Sequence, residues 1–256
     1  MFKKNSVCVC SYSKYMENMK LGKKIDSYDK VVRINNGLNV LEPKSFGNKI
    51  DVFASSFLGG KIGFIERCYH SLHKKKESIQ NILIEKNVKD IIAINYGQTT
   101  LIDEIKKDYS DKFKICVAED TLPKILFIIT TGLATIIIVL KNKPKELFIC
   151  GFDFTMYLHK AYENLYREHR AKFVERLNKT YEEMGDDYHS TLFEKYLLKK
   201  LMLKYKFTVD EHLKKILDEI NVDELDENIY TRRIKTEIFK EKFINYYNDI
   251  ISIIDV

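Results

Sequence analysis

The residues best suited to chemistry lie between Thr130 and Glu194. Thr130-Thr131-Gly132 precedes an apolar run ending at Leu140. Small residues there put backbone N–H groups at the start of a helix. Such a start attracts anions through its unsatisfied donors and the positive end of its dipole. Further on, Leu147-Phe148-Ile149-Cys150 is a short apolar run entered from a Lys/Pro turn and stopped by Gly151-Phe152-Asp153. It reads as a strand covered on both faces, and parallel sheets hold their ligands beyond the carboxyl ends of such strands. The reading this pair supports is a nucleotide-sugar held between the two ends.

Other groups could line the same pocket. Residues 155–176 are rich in polar aromatics, with Tyr157, His159, Tyr162, Tyr166 and His169. Directly after a site strand, this composition reads as a lid or pocket wall, or as an amphipathic helix with snorkelling tyrosines. Tyr188-His189-Ser190-Thr191 then opens a helix running to about Tyr205. Thr191 and Glu194 fit a capping box, and His189 sits just outside, where a neutral imidazole is easily presented to a pocket. Earlier, Ser11-Tyr12-Ser13-Lys14 follows a strand at the position where such folds touch phosphate or ribose. Asn35-Asn36-Gly37 either offers amides to a ligand or forms a plain Asn-Gly turn. Ser55 and Ser56 are small hydroxyl residues at a strand end.

The elements that must position these groups alternate along the chain. Strands are predicted over Ser6–Cys10, Lys30–Ile34, the segment ending at Ser55, Val88–Ile94 and Phe113–Val117. Leu21–Asp29 reads as a turn and Ile102–Tyr109 as a helix. This is the pattern of an α/β fold, a Rossmann-like parallel sheet sandwiched by helices. The domain reading is a nucleotide-sugar-binding domain over 1–154, a lid or pocket segment over 155–190, and C-terminal helices over 191–256. Two late helices are expected around Asp210–Ile220 and Arg232–Ile254. The last has Ile238, Phe243, Ile244, Tyr247, Ile251 and Ile254 near helical spacing. That stripe packs on the domain or docks on a membrane surface.

Composition narrows the class. The chain has 256 residues, 45% hydrophobic and 31% charged, enough for a sizeable core and unlike a disordered segment. The net charge of +6 biases it towards anionic partners. No recognition motif accompanies the charge, so nucleic acid is not an expected partner. The 5 cysteines are scattered, without C-x-x-C or zinc-finger spacing, which points to a reducing compartment. Cys8 and Cys10 alternate along a strand and read as core thiols. Ile125–Leu140 is almost wholly apolar but shorter than the ~20 residues of a membrane span, and reads as a buried helix. The start of the chain has no apolar signal-peptide core. A cytoplasmic protein is expected, with peripheral contact at the inner membrane face, through basic C-terminal helices, as a further expectation. No G-x-G-x-x-G is present, so no dinucleotide cofactor is expected. Nor is a D-x-D metal clamp found near the first five strand ends.

These stretches resemble a family. Leu21–Asp29 followed by Val31-Val32-Arg33-Ile34-Asn35-Asn36 resembles the large sialylmotif of animal-type sialyltransferases. Thr130-Thr131-Gly132-Leu133-Ala134 and the strand into Gly151-Phe152 resemble the small one. His189 through Glu194 resembles the very small motif, H-x-x-x-x-E. Gly151-Phe152-Asp153-Phe154 and His189-Ser190 are also similar to bacterial sialyltransferases that act on lipo-oligosaccharide. The similarity covers residues 6–200, and its specificity lies in the order and spacing of the motifs.

The resemblance implies a GT-A-like variant fold. It also implies a metal-independent, inverting transfer of sialic acid from CMP-sialic acid to a glycan hydroxyl, with the CMP-sugar as donor substrate and no cofactor. It makes His189 the general base, and Tyr162, with Tyr157 beside it, a donor to the leaving phosphate. Asn35 becomes a donor-contacting residue. Thr130, Thr131 and Gly132 line the carboxylate and nucleotide side, and Gly151, Phe152 and Asp153 contact cytidine. Ser55 falls where the bacterial enzymes have a pocket Asn. The family's first loop has an Asn after a Gly, whereas Ser11-Tyr12 stands here, with Ser13 next. Tyr12 offers a hydroxyl to phosphate and no amide. That leaves CMP-Kdo or another CMP-ulosonate open as donor. A non-catalytic nucleotide- or glycan-binding protein is also open.

Overall fold

A computed structural model describes residues 1–40, 42–55, 69–70, 76–77, 79–94, 103–104, 106–107, 110–120, 122, 129–154, 191–222 and 236–256. Seven of its strands form one sheet: β1 (Ser6–Cys10), β2 (Lys30–Ile34), β3 (Val52–Ser55), β6 (Asp90–Ala93), β7 (Lys114–Val117), β8 (Glu146–Cys150) and β9 (Thr208–Val209). Two short strands, β4 (Tyr69–His70) and β5 (Lys76–Glu77), pair antiparallel apart from it. The helices are α1 (Gly22–Asp26), α2 (Ile79–Glu85), α3 (Thr131–Lys141), α4 (Thr191–Tyr205), α5 (Glu211–Asp218) and α6 (Thr236–Asp255).

The strand order is β7-β6-β3-β2-β1-β8-β9, and each neighbouring pair runs parallel. All the carboxyl ends therefore lie on one edge. The chain builds outward from β1 to β7, then returns to the other side of β1 with β8. Right-handed crossovers require the connecting helices to change face at that reversal, and they do. Val7, Val9, Val32, Ile34, Val52, Ala54 and Ile149 pack in one core with α3, α4, α5 and α6. On the opposite face, Cys8, Cys10, Val31, Phe148 and Cys150 cluster with Ile25 of α1, and Phe53, Ile91 and Ala93 with Leu83 of α2.

Helix α3 is the centre of the first face. Thr131 through Leu140 are all buried, so this part of the apolar run is a core helix; residues 125–128 of the run lie outside the described residues. Each isoleucine buried there contributes about 1.5–3 kcal/mol. In α6, Ile250 and Ile254 are buried in the same core, with Tyr247 and Ile251 packed against it. That part of the apolar stripe faces protein. No helix among the described residues is long and apolar enough to cross a membrane.

Several elements differ from the sequence expectation, among them α2 and the β4–β5 pair, which were not expected. Leu21–Asp29 contains the short helix α1 rather than a turn alone, because Ile25 has a buried niche below Phe148 and Tyr28. Strand β9 was not expected: two residues are too few to show a periodicity.

Candidate functional site

The strand order reverses between β1 and β8, and the crevice beyond their carboxyl ends is the ligand position of such sheets. The two loops leaving these strands are laced together. Ser11 N–H donates to Cys150 O at 2.9 Å, and Ser13 N–H to Gly151 O at 3.2 Å. Gly151 has φ +76°, and a Cβ there would lie 2.7 Å from Ser11 O, so only glycine fits. The Ser13 hydroxyl donates to Asp153 Oδ2, and both side chains are buried. Each is thus engaged with the other, tying the loop after β1 to the loop after β8.

A second network lies beneath Gly151. Asp210 caps α5 by accepting Leu213 N–H at Oδ1, 2.9 Å away. Its Oδ2 accepts the Tyr15 hydroxyl at 2.6 Å and Gly151 N–H at 3.0 Å. Tyr15 stacks on His212 with ring centroids 4.0 Å apart. Burial, reinforced by the Asp210 charge, pushes the Tyr15 hydroxyl well above its ordinary range, so it remains a donor. Neither Tyr15 nor Asp210 is among the sequence candidates. The signal for Asp210 was its place ahead of Glu211-His212-Leu213 as a helix cap; its second oxygen left no trace in the sequence.

The start of α3 reaches the same crevice. Thr130 is its N-cap, with Oγ1 accepting Leu133 N–H at 3.5 Å. A Cβ on Gly132 would lie 2.5 Å from Phe152 Cε1, so this helix start rests against the residue after Gly151. Glu194, on the first turn of α4, accepts the Thr130 N–H at Oε1 and the Thr130 hydroxyl at Oε2, 3.2 Å away. The capping-box reading of Glu194 is therefore corrected: its carboxylate serves another helix. Of the donors expected at this helix start, the Thr130 N–H is taken by Glu194. Burial raises the Glu194 carboxyl to about 7, against the lowering effect of the two Thr130 bonds.

The remaining candidates spread along the same edge. Asn35 follows β2 with φ +44°, the left-handed backbone that asparagine tolerates. Ser55 is the buried last residue of β3. Tyr12, half-buried, packs against the Cys8–Phe148 cluster. The structure thus brings Ser13, Gly151, Phe152 and Asp153 together with Gly132 at the start of α3, sets Tyr12 on the Cys8–Phe148 cluster, and leaves Asn35 and Ser55 on the neighbouring strand ends. Tyr157, Tyr162 and His189 lie outside the described residues. Among the described residues no group of three or more His, Cys, Asp or Glu side chains is placed to hold a metal ion.

These features define an α/β protein whose strand order reverses between β1 and β8, the place where such sheets hold their ligands. Its sequence matches no protein-family model and no curated protein. Among solved structures it is similar to a mammalian sialyltransferase, with a TM-score of 0.50 and 14% identity over 81% of this chain and 69% of that one. It is also similar to the sialyltransferase CstII from Campylobacter jejuni, solved with the substrate analogue CMP-3FNeuAc, with a TM-score of 0.46 and 19% identity over 80% of this chain and 78% of that one. The mammalian comparison shows a shared fold. It belongs to a protein of the same family that the sequence motifs resemble.

Proposed function

We propose that the chain is a metal-independent inverting glycosyltransferase that moves sialic acid from CMP-sialic acid to a glycan hydroxyl. The observation that carries the reading is the contact of Gly132 with Phe152. It sets the start of a buried helix against the end of β8, on the edge where parallel sheets hold their ligands. In this reading Gly151, Phe152 and Asp153 border the cytidine. Thr131 and Gly132 face the donor's anionic groups, and Tyr12, Ser13, Asn35 and Ser55 line the rest of the donor pocket. The departing CMP is an anion, and a helix start with positioned hydroxyls stabilises it without a cation. His189 takes the acceptor proton, and Tyr162, with Tyr157, donates to the leaving phosphate. Glu194, five positions after His189 in the sequence, is tied to Thr130 at the start of α3. Residues 155–190 act as the lid over the 1–154 domain, with 191–256 packed on it. The acceptor glycan is reached at the inner membrane face by peripheral contact.

The test is CMP release from CMP-sialic acid with a panel of acceptor glycans, in the presence of a chelator. Activity should persist with the chelator. His189→Ala should lower it by roughly 10²–10⁴-fold, the contribution of a general base. Unchanged turnover in that variant would remove His189 from the mechanism. Thermal stabilisation by UMP or GDP but not CMP would reject the donor class. Tyr12 favours a second reading, transfer from another CMP-ulosonate such as CMP-Kdo, because its packed ring replaces an amide of the family pocket. Comparing the two donors in the same assay separates them.

A further inference from the structure

Arg33 is fully buried within the sheet, on the face that carries Cys8, Cys10 and Cys150. The register pairs it with Cys10 on β1 and Phe53 on β3. Its guanidinium donates from Nε to Lys49 O at 3.1 Å, from Nη2 to Phe46 O at 2.7 Å and from Nη1 to Cys10 Sγ at 3.1 Å. None of these partners is a carboxylate, and among the described residues no salt bridge reaches Arg33. Arginine stays protonated in proteins, and a buried charge without an opposite charge is strongly disfavoured. Among the described residues, the ionisable side chain hydrogen-bonded to it is Cys10.

We propose that Cys10 is ionised in the folded protein and is the counter-ion of Arg33, a thiolate–guanidinium pair set beneath the candidate site. Sulfur is larger than oxygen, so an approach of 3.1 Å is close, as charge-assisted bonds are. Cys150 is the register partner of Cys10 on β8, so its thiol stands beside Cys10 on the same face of the sheet. Burial pushes the Cys150 thiol well up, so it keeps its proton. The Cys150 hydrogen bond, with the Arg33 charge, holds Cys10 below the ordinary thiol range, against burial and the more distant Asp210. Cys8 Sγ lies 3.8 Å from Cys150 Sγ and completes a row of thiols ending at the guanidinium. The alternative, a neutral Cys10 thiol, would direct its proton to Ser11 O at 3.2 Å and leave Arg33 without an anion. On folding, the Cys10 proton passes to solvent.

The pair is a positioning device. It joins the strand entering the Ser11–Ser13 loop to the strand entering Asn35, and both to the segment Phe46–Lys49. The test is the ultraviolet thiolate absorption of the folded protein against pH, for wild type, Cys10→Ser and Arg33→Met. The wild type should carry a thiolate band at neutral pH that Cys10→Ser lacks, and Arg33→Met should move that titration up into the ordinary thiol range. Chemical denaturation adds an independent reading. Cys10→Ser should lower the folding equilibrium constant at least tenfold, and Cys10→Asp should recover most of that loss, because a carboxylate also neutralises Arg33. No thiolate band in the wild type at neutral pH overturns the proposal, and this reading does not require any variant to fold. A Cys10→Asp protein less stable than Cys10→Ser also overturns it.

Discussion

Glu194 on α4 accepts both the backbone N–H and the hydroxyl of Thr130, 64 residues earlier at the start of α3. One carboxyl group thus ties together the first turns of two helices. Glu194→Ala should remove both bonds and leave a part-buried donor without its partner, at a cost of about 1–3 kcal/mol. Glu194→Gln keeps an acceptor for the N–H and should cost much less at acid pH. Urea denaturation of the two variants checks the order.

The same group gives a pH dependence with a defined sign. Its folded value of about 7 lies above the ordinary 4.5, so the native state holds the proton more tightly than the unfolded chain does. Stability should therefore fall as pH rises through the window from 4.5 to about 7, and level off above it. The full effect is at most about 3–4 kcal/mol at ~1.4 kcal/mol per pKa unit. Glutamine cannot ionise, so Glu194→Gln should gain on the wild type between about pH 5 and about pH 8. Parallel melting curves across that range would refute this by showing a constant difference.

Two glycines should respond differently to alanine. At Gly151 the new Cβ meets a backbone carbonyl at 2.7 Å in a left-handed conformation, so neither strain nor clash can relax cheaply. A loss of about 2 kcal/mol or more is expected. At Gly132 the obstacle is the far side of the Phe152 ring, a part-buried side chain that can turn. Gly132→Ala should cost about 1 kcal/mol of stability. Its larger effect, in the proposed reading, is weaker CMP binding, measured by calorimetry.

The Tyr15–Asp210 pair should be unequal in the same way. Tyr15→Phe removes one hydroxyl, while Gly151 N–H keeps Asp210 Oδ2 at 3.0 Å, for a loss of about 1 kcal/mol. Asp210→Ala removes a helix cap and two further bonds, for about 2–4 kcal/mol. Thermal melts of both proteins check the ratio.

Much of the sheet was legible because its strands are covered on both faces. Runs such as Ser6–Cys10 and Leu147–Cys150 are apolar without alternation, and they end at residues that stop strands. Asn35 was legible for a local reason too, since its left-handed backbone belongs to the residue type. The site contacts were not legible. Ser13 and Asp153 are 140 positions apart, Gly151 and Asp210 59 apart, and only the crossover of β8 to the far side of β1 joins them. Glu194 misled because a local explanation, capping its own helix, was sufficient in sequence and lost to a stronger partner in space. Arg33 sits in a run that reads as plain strand, and nothing in the neighbouring letters announces that its charge is buried.

Strand β9 closes one side of the sheet with two residues, Thr208 and Val209. The chain enters it from Lys206, held at φ +54°, and leaves it directly into the capped helix α5. So short a border gives an incoming polypeptide almost no ladder to extend. On this flank the molecule is guarded against fibril-like growth by strand addition from its own copies.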